Sequence, residues 1–450
     1  MRNSKTAKYL VKVIRHNNGF IDQKEADAFK SWYKFLANIS SKVSKDKGLK
    51  SLDDVDIKMR FQCLQDHVAS NFNNPERLEV HKIIDNLLTD IAEEVKKVFP
   101  MFSFRPILVG SGKEGTRPYL PNEFDYHLVC DKIRECVDVN YYQSDTSCNL
   151  IKVKPSHRHK LHSDLYDSDH NLNMDGLRCA MDNILKQTIN CVFHRNLYKT
   201  VLRIDSVFLD ENFISCLHVT WRGTYYKDMH IYIDLVVALE LNSYKCYADV
   251  FRSVENDYKD RSKYFVFNKG SSTSGFAIAF NDTEYRLLRD CSLSAKQGFI
   301  YAKALRIGDL FPDYIRKKLN HVYNLEDCLK TYMLKTSMFF CSLYMKRVRP
   351  QQYRELQPLQ WTYFVYKHLE RRFALGHLPS LLSWNSSFFE CSVITCISYI
   401  YHIHNCVMKT AHIIGPVRLS KLQDSRNMRD ENRKLVKMMG NINNKNVFNN

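Results

Sequence analysis

Apolar residues recur with helical spacing between residues 75 and 99. Asn74 followed by Pro75 is a typical helix start, and Pro100 closes the segment. The apolar face consists of Val80, Ile83, Ile84, Leu87, Leu88, Ile91, Val95 and Val98. We therefore predict one long helix that packs beneath a sheet as a spine, preceded by shorter helices within residues 5 to 70.

After Pro100 polar and apolar residues alternate, which is typical of strands. Strands are predicted at residues 104–111, 122–130, 200–209, 214–223 and 229–240, with a helix at about 175–190. Residues 135 to 175 have neither period and are rich in Ser, Asp and His. We predict an insertion or a mobile loop there.

From about residue 284 the helical spacing returns, and it continues to about residue 413. Strands followed by helices predict an α+β fold with a catalytic lobe and then a helical lobe. We divide the chain into N-terminal helices including the spine helix (1–100), a strand-rich core (101–283) and a helical lobe with a basic C-terminal tail (284–450).

Composition narrows the classes of partner. The 450 residues carry a formal net charge of +17, and residues 341–450 contain 16 Lys and Arg against 6 Asp and Glu. A polyanionic partner is expected, although an ordinary basic enzyme would also fit. The N-terminus lacks the apolar run of a secretory signal, and no stretch approaches the roughly 20 apolar residues of a membrane span. We expect a cytoplasmic protein without a membrane partner, whose 14 cysteines are reduced.

Three acidic residues carry the candidate chemistry. Glu123 and Asp125 are two residues apart in a predicted strand, so they share one face and repel each other unless a cation lies between them. Asp234 lies in an otherwise apolar strand, where a carboxylate is costly unless it is paired or bound to metal. Three carboxylates from neighbouring strands can hold two divalent ions, and oxygen ligands favour Mg²⁺ or Mn²⁺.

Gly110 and Ser111 end the strand that precedes these acids. A glycine lets the backbone approach a phosphate, and a serine hydroxyl can hydrogen-bond its oxygens. The dipeptide alone is common, but here two acids follow Ser111 after 12 and 14 residues. This combination resembles the signature of polymerase-beta-like enzymes, and the resemblance implies their bilobed nucleotidyltransferase fold. Turn residues beside surface acids are the alternative.

The stretch GSGKEGTRPYLPNEFDYHLV (110–129) resembles the corresponding part of the family of cyclic GMP–AMP synthase and its animal relatives, the cGAS-like receptors. Residues 221–240 resemble the strand pair that carries the family's third acid, and TYMLKTSMFFC (331–341) resembles a helix with a base-stacking aromatic and a lysine. The similarity spans most of residues 75 to 415. It implies a nucleic-acid-activated enzyme of innate immunity and antiviral defence that joins ATP and GTP into a cyclic dinucleotide, which a STING-type receptor reads.

The resemblance assigns the central residues as follows. Glu123, Asp125 and Asp234 would be catalytic and would hold two Mg²⁺ or Mn²⁺ ions. Gly110 and Ser111 would bind nucleotide phosphate.

The same resemblance implies nucleotide contacts in the helical lobe. Tyr332 would stack on a purine with Thr331 beside it, and Lys335 would lie near the nucleotide. Lys303 would contact the triphosphate, and Glu284 would lie near the base. Core packing is the alternative for Tyr332, and a solvated helix face is the alternative for Lys303.

Two departures from the family pattern bear on specificity. Residues 289–298 contain a single cysteine and no zinc ribbon of the kind found in the vertebrate DNA sensor. We therefore expect double-stranded RNA rather than double-stranded DNA as the activator. The resemblance also implies that the protein can form a dimer on the nucleic acid. Residues 276–280 (FAIAF) lack the arginine and serine that read the bases, which leaves the product's bases and linkage open.

Other readings of the chain remain. A catalytically inactive scaffold or adaptor would not need the three acids, whereas a nucleotidyltransferase that forms linear oligonucleotides would share them. For zinc, core packing is favoured over metal binding in a segment with Cys391, Cys396, His402, His404 and Cys406. A second cluster, formed by His157, His159 and His162, is interpreted as a solvated loop.

Overall fold

The computed structural model describes residues 54–140, 150–195, 198–209, 215–241, 264–268, 276–306 and 330–374, together with single residues between 378 and 414. Its helices are α1 (Asp54–Asn73), α2 (Pro75–Val98), α3 (Gly110–Glu114), α4 (Asp131–Glu135), α5 (Met174–Arg195), α6 (Tyr198–Val201), α7 (Asn281–Arg289), α8 (Leu293–Arg306), α9 (Thr331–Val348), α10 (Pro350–Glu355) and α11 (Pro358–Ala374). Its strands are β1 (Arg105–Val109), β2 (Glu123–Val129), β3 (Val137–Asn140), β4 (Leu150–Val153), β5 (Leu202–Leu209), β6 (Ser215–Trp221), β7 (Met229–Leu241), β8 (Tyr264–Asn268) and β9 (Phe276–Ala279).

Helix α2 is the predicted spine. The Asn74 side chain caps it by accepting a hydrogen bond from the Glu76 backbone N–H at 2.9 Å, and Pro75 occupies the first helical position. Its apolar face is buried through Val80, Ile84, Leu87, Leu88, Ile91 and Val95. Polar bonds add to this packing, because the hydroxyls of Tyr126 and Tyr198 donate to the carboxylates of Asp85 and Asp90 on the helix.

Seven strands form one mixed sheet in the order β1-β2-β7-β6-β5, and β8 pairs with both β7 and β9. The β2–β7 pair is parallel, and every other pairing in the sheet is antiparallel. Along β7 the side chains of Ile231, Ile233 and Leu235 are buried, while Tyr232 is exposed and Asp234 is half-buried. The alternation predicted for this strand is therefore confirmed. The sheet face that carries Tyr232 and Asp234 is partly open to solvent at these two residues, and it is called the open face below.

The described part of residues 135 to 175, where we predicted an insertion or a mobile loop, contains short regular elements that the sequence pattern did not reveal. Val137–Asn140 and Leu150–Val153 pair as a small antiparallel sheet, and two 3₁₀-helices, Pro155–Lys160 and Ser163–Leu165, follow. Strands of four residues are too short to show a period in the sequence. Burial of the apolar side chains of Val137, Ile151 and Val153 stabilises this strand pair.

The C-terminal helices pack around aromatic side chains. Phe299 of α8 and Trp361 of α11 are fully buried, and the Tyr366 hydroxyl donates to the Ala302 carbonyl at 2.6 Å. Gly298 allows this close packing, since a Cβ there would lie 2.4 Å from the Trp361 Cβ. Helix α7 spans the predicted boundary between residues 283 and 284, so the division into lobes stays a prediction.

The α+β class is confirmed, because strands dominate the described chain from Arg105 to Ala279 and helices dominate from Asn281 onward. Residues 5 to 53 and most of the basic tail lie outside the described residues. Among the described helices, none combines the length and the apolar character that crossing a membrane would require.

Two leucines of α2 provide a test of the spine. Leu87 is 0% exposed and Leu78 is 73% exposed. We expect Leu87→Ala to lower the free energy of unfolding by about 2–5 kcal/mol, because it leaves a cavity in the core. Leu78→Ala should change it by less than about 0.5 kcal/mol. Urea denaturation followed by circular dichroism measures both, and equal losses would contradict the assigned helix face.

Candidate active site

The three predicted acids meet on the open face of the sheet. Asp125 of β2 is paired in register with Asp234 of the parallel strand β7, and Glu123 precedes Asp125 by two residues on the same face. One oxygen from each carboxylate lies within 4.8 Å of the others. Because β2 and β7 are central, hydrogen-bonded strands, this spacing is set by the sheet rather than by flexible loops.

Burial, together with repulsion from Glu123 and Asp234, changes the protonation of Asp125. Burial raises the pKa of Asp125 to about 7, and the charges of Glu123 and Asp234 add to this rise, while Arg117 and Lys335 oppose it. A carboxylate with this environment is destabilised in its charged form unless a cation joins it. The set therefore fits hard divalent cations, which would supply that missing charge.

Gly110 lies directly against this site. Its φ is +61°, and a Cβ at this position would lie 2.4 Å from the Asp125 Oδ2. A side chain is therefore excluded both by the backbone conformation and by the carboxylate. Ser111, the next residue in α3, is half-buried on the same connection between β1 and β2.

The cation beside Glu123 is Arg117. Its guanidinium lies 2.6 Å from a carboxylate oxygen of Glu123 and also donates to the Glu123 carbonyl at 3.2 Å. Arg77 of α2 holds the same loop by donating to the carbonyls of Arg117 at 3.1 Å and Tyr119 at 2.9 Å. The spine helix thus positions the arginine that neutralises the outermost acid. Sequence reasoning missed Arg117, although a basic residue six positions before the first acid was a visible signal.

The helical part contributes a buried ion-pair cluster behind α3. The Lys335 ammonium lies 2.6 Å from Glu114 and 2.9 Å from Glu284, and all three side chains are buried. Burial by itself lowers the pKa of Lys335, but the two carboxylates outweigh it and the pKa is raised. Lys335 and Glu284, both predicted to lie near the nucleotide, are therefore bound to each other inside the protein. Their proximity to a nucleotide stays a prediction.

Tyr332 and Thr331 begin helix α9, and both are half-buried. The Tyr332 ring centroid lies 5.7 Å from the Lys335 ammonium, at the edge of the ion-pair cluster. Tyr332 is half-buried rather than fully buried, and its stacking on a base stays a prediction.

Lys303 of α8 is 6% exposed, so its alternative interpretation as part of a solvated helix face is wrong. Its ammonium lies 3.5 Å from the Thr116 hydroxyl, which in turn donates to Glu114 at 3.2 Å. The ring of Phe299 lies beneath the ammonium at 5.5 Å. Packing between α8 and the loop after α3 buries the lysine, which the sequence pattern of α8 alone does not show.

The clusters of cysteine and histidine weighed for zinc have different outcomes. Cys391, Cys396, His402 and His404 lie outside the described residues, and Cys406 is helical and buried. Within the described part of the chain, His157, His159 and His162 belong to neither of the two side-chain groups that could hold a metal ion. One of those groups is the acid triad, and the other, Asp205, His218 and His230, was missed by sequence reasoning.

Comparison with known proteins adds no relative. No protein-family model matches the chain, and no curated protein matches it. Membership of the cyclic GMP–AMP synthase family therefore stays a prediction that rests on the residues themselves.

Glycine substitutions test the close approach at Asp125. Gly110 and Gly115 both have φ near +60°, but a Cβ at Gly115 would meet nothing within 4 Å. We expect Gly115→Ala to cost about 1–2 kcal/mol of unfolding free energy through backbone strain alone. Gly110→Ala should cost more and weaken Mn²⁺ binding at least tenfold, because it displaces the Asp125 carboxylate. Isothermal titration with Mn²⁺ compares the two, and equal Mn²⁺ affinities would contradict the role assigned to Gly110.

Asp125→Asn is expected to stabilise the metal-free protein by about 1–3 kcal/mol above pH 7, because it removes a negative charge that burial and the neighbouring acids disfavour. The native pKa of Asp125 is about 7 against an ordinary value of 3.8, so the native state binds more protons between these values. Wild-type stability should therefore fall as pH rises from about 4 to about 7, and the advantage of the variant should shrink toward pH 4.

Thermal unfolding in EDTA across this pH range measures the effect. Asp138→Asn, an exposed strand acid outside the site, is the control and should show no such gain. If Asp125→Asn is no more stable than wild type at pH 8, the charge of Asp125 does not destabilise the metal-free protein.

Proposed function

We propose that this protein is a nucleotidyltransferase that joins ATP and GTP into a cyclic dinucleotide with release of pyrophosphate. The observation that carries the proposal is the convergence of Glu123, Asp125 and Asp234 on two paired strands, with Gly110 packed against Asp125. Three carboxylates, one of which has a raised pKa, lie beside the Gly110-Ser111 turn. Such a site suits binding of a metal–nucleotide complex.

The donor set fits two divalent ions of the Mg²⁺ or Mn²⁺ class, because every ligand is a carboxylate oxygen and the charges of Arg117 and Lys335 do not offset the rise in the pKa of Asp125. When bound, such ions would activate the attacking hydroxyl and stabilise the leaving pyrophosphate. Glu123, Asp125 and Asp234 would hold the ions, and the pairing of β2 with β7 fixes the separation of Asp125 from Asp234.

The remaining residues bind and orient the nucleotide. The Ser111 hydroxyl donates to a phosphate oxygen, and Tyr332 stacks on a purine with Thr331 beside it. The buried cluster of Lys335, Glu284 and Glu114 holds α9 against α3, so that the stacking ring and the phosphate-binding turn keep a constant separation. Lys303 adds positive charge behind the turn, beside Thr116.

The proposed activator is double-stranded RNA, and the proposed location is the cytoplasm. Support for a polyanionic activator comes from the net charge of +17, more than half of which lies in the last quarter of the chain. The choice of RNA over DNA rests on the lack of a zinc ribbon in residues 289–298. A duplex would be held by its phosphates and by its A-form shape, so binding should weaken steeply with salt. The product would be read by a STING-type receptor.

A product assay tests the proposal directly. Full-length protein is incubated with ATP, GTP and Mg²⁺ or Mn²⁺, without nucleic acid, with duplex RNA and with duplex DNA. We expect a phosphatase-resistant cyclic dinucleotide only with RNA, lost by at least 100-fold in Asp125→Asn and in Asp234→Asn. Asp138→Asn should keep full activity, because its side chain is exposed and outside the site.

Each other result has a defined meaning. A linear, phosphatase-sensitive product would support an oligonucleotide-forming nucleotidyltransferase. If the cyclic product forms with duplex DNA but not with duplex RNA, the activator is DNA and not RNA. The proposal that the protein is an enzyme would be overturned if wild type made no product with either duplex and showed no Mn²⁺-dependent nucleotide binding. That result would favour a scaffold.

A further inference from the structure

A second group of ligand atoms lies on the open face of the same sheet, outside the acid triad. Asp205 of β5, His218 of β6 and His230 of β7 come from three adjacent antiparallel strands. His218 pairs in register with Tyr232, which is two residues before Asp234 on β7. The group is therefore near the candidate active site but shares no residue with it.

The three atoms have the separations that a small metal ion needs. The His218 Nε2 lies 3.2 Å from the His230 Nδ1 and 3.6 Å from the Asp205 Oδ2, and the His230 Nδ1 lies 3.9 Å from the same oxygen. The centre of this triangle is about 2.1 Å from each atom, the length of zinc bonds to imidazole nitrogen and carboxylate oxygen. The side chains need little movement to bind one ion between them.

Neighbouring side chains hold two of the three ligands in this orientation. The His218 ring stacks on Tyr232 with a centroid distance of 4.6 Å and an interplanar angle of 2°. Arg203 donates to the Asp205 Oδ1 at 2.8 Å, which leaves the Oδ2 directed at the histidines. The Thr220 hydroxyl donates to that Oδ2 at 2.5 Å and lies 3.2 Å from the His230 Nδ1. Such surrounding bonds are what orient ligands in metal sites.

The ligand types select the class of metal. Imidazole nitrogens suit zinc and other first-row transition metals, whereas Mg²⁺ prefers oxygen alone. Two imidazoles and one carboxylate also leave further positions for water or another ligand, as in open zinc sites. The two groups on this sheet face thus differ in metal preference: all-oxygen for the acid triad, and two nitrogens with one oxygen for this group.

We propose that Asp205, His218 and His230 form a binding site for one Zn²⁺ ion. The site would link β5, β6 and β7 at the open face and hold Tyr232 beside the acid triad through its stack on His218. It does not depend on the nucleotidyltransferase proposal, since its ligands and its test are separate. The alternative is a metal-free hydrogen-bonded cluster of the same side chains.

Zinc stoichiometry tests the site. Full-length protein is stripped with EDTA, reduced, desalted and titrated with Zn²⁺ against a chromophoric chelator, with excess Mg²⁺ present to occupy the acid triad. We expect wild type to bind one more equivalent of Zn²⁺ than His218→Ala and His230→Ala bind, and Asp205→Asn to bind that equivalent at least tenfold more weakly. The number of equivalents matters because the cysteines can bind zinc elsewhere.

His159→Ala is the matched control, because it removes an exposed histidine outside the group and should leave the count unchanged. Co²⁺ provides a second readout: the wild-type spectrum should contain d–d bands of a nitrogen and oxygen site that both histidine variants lose, without loss of thiolate charge-transfer absorption. His230 is 58% exposed, so His230→Ala is expected to fold even if His218→Ala does not, and circular dichroism checks both.

Equal zinc counts in wild type and His230→Ala would overturn the proposal and leave the hydrogen-bonded cluster. Absence of zinc binding to wild type would do the same.

Discussion

Mutual repulsion of three carboxylates is the constraint around which the described structure is organised. Parallel pairing of β2 with β7 places Asp125 beside Asp234, and strand alternation adds Glu123 to the same face. The chain tolerates this arrangement because hydrogen bonds and buried apolar side chains on the other face of the strands outweigh the repulsion. Groups that oppose the folded state but are kept by the rest of the protein are typical of functional sites.

Cationic side chains from neighbouring elements pair with acidic side chains at and next to the site. Arg117 neutralises Glu123 from one side, and Arg77 of the spine helix fixes the backbone that presents Arg117. On the other side, Lys335 binds Glu114 and Glu284 and ties α3 to the helical part of the chain. Removing one partner from a buried ion pair leaves an uncompensated charge, so these contacts favour a single position of α3.

The spine helix does more than bury an apolar face. The Glu76 carboxylate accepts hydrogen bonds from the Trp221 indole at 2.5 Å and from the backbone N–H of Tyr225 at 2.6 Å. Gly223 permits this contact, since a Cβ there would overlap the same carboxylate. The N-terminal end of α2 therefore holds both the turn between β6 and β7 and, through Arg77, the loop before β2. The positions of the acids on β2 and β7 are thereby linked to one helix end.

The sequence by itself determined the long-period features of this protein: the spine helix with its Asn74 cap, the strands that carry Glu123, Asp125 and Asp234, and the α+β order. These follow from local periodicity and from capping and strand alternation, which depend only on nearby residues. It did not reveal the short β3–β4 pair, whose four-residue strands carry too little periodic signal. Only the tertiary structure decided that Arg117 meets Glu123, that Lys303 is buried, that Lys335 bridges two acids, and that Asp205, His218 and His230 converge. Arg117 and Glu123 are only six residues apart, but the folded loop between them sets their contact. The other contacts join residues far apart in the chain or on separate strands, and their distances depend on strand register and helix packing.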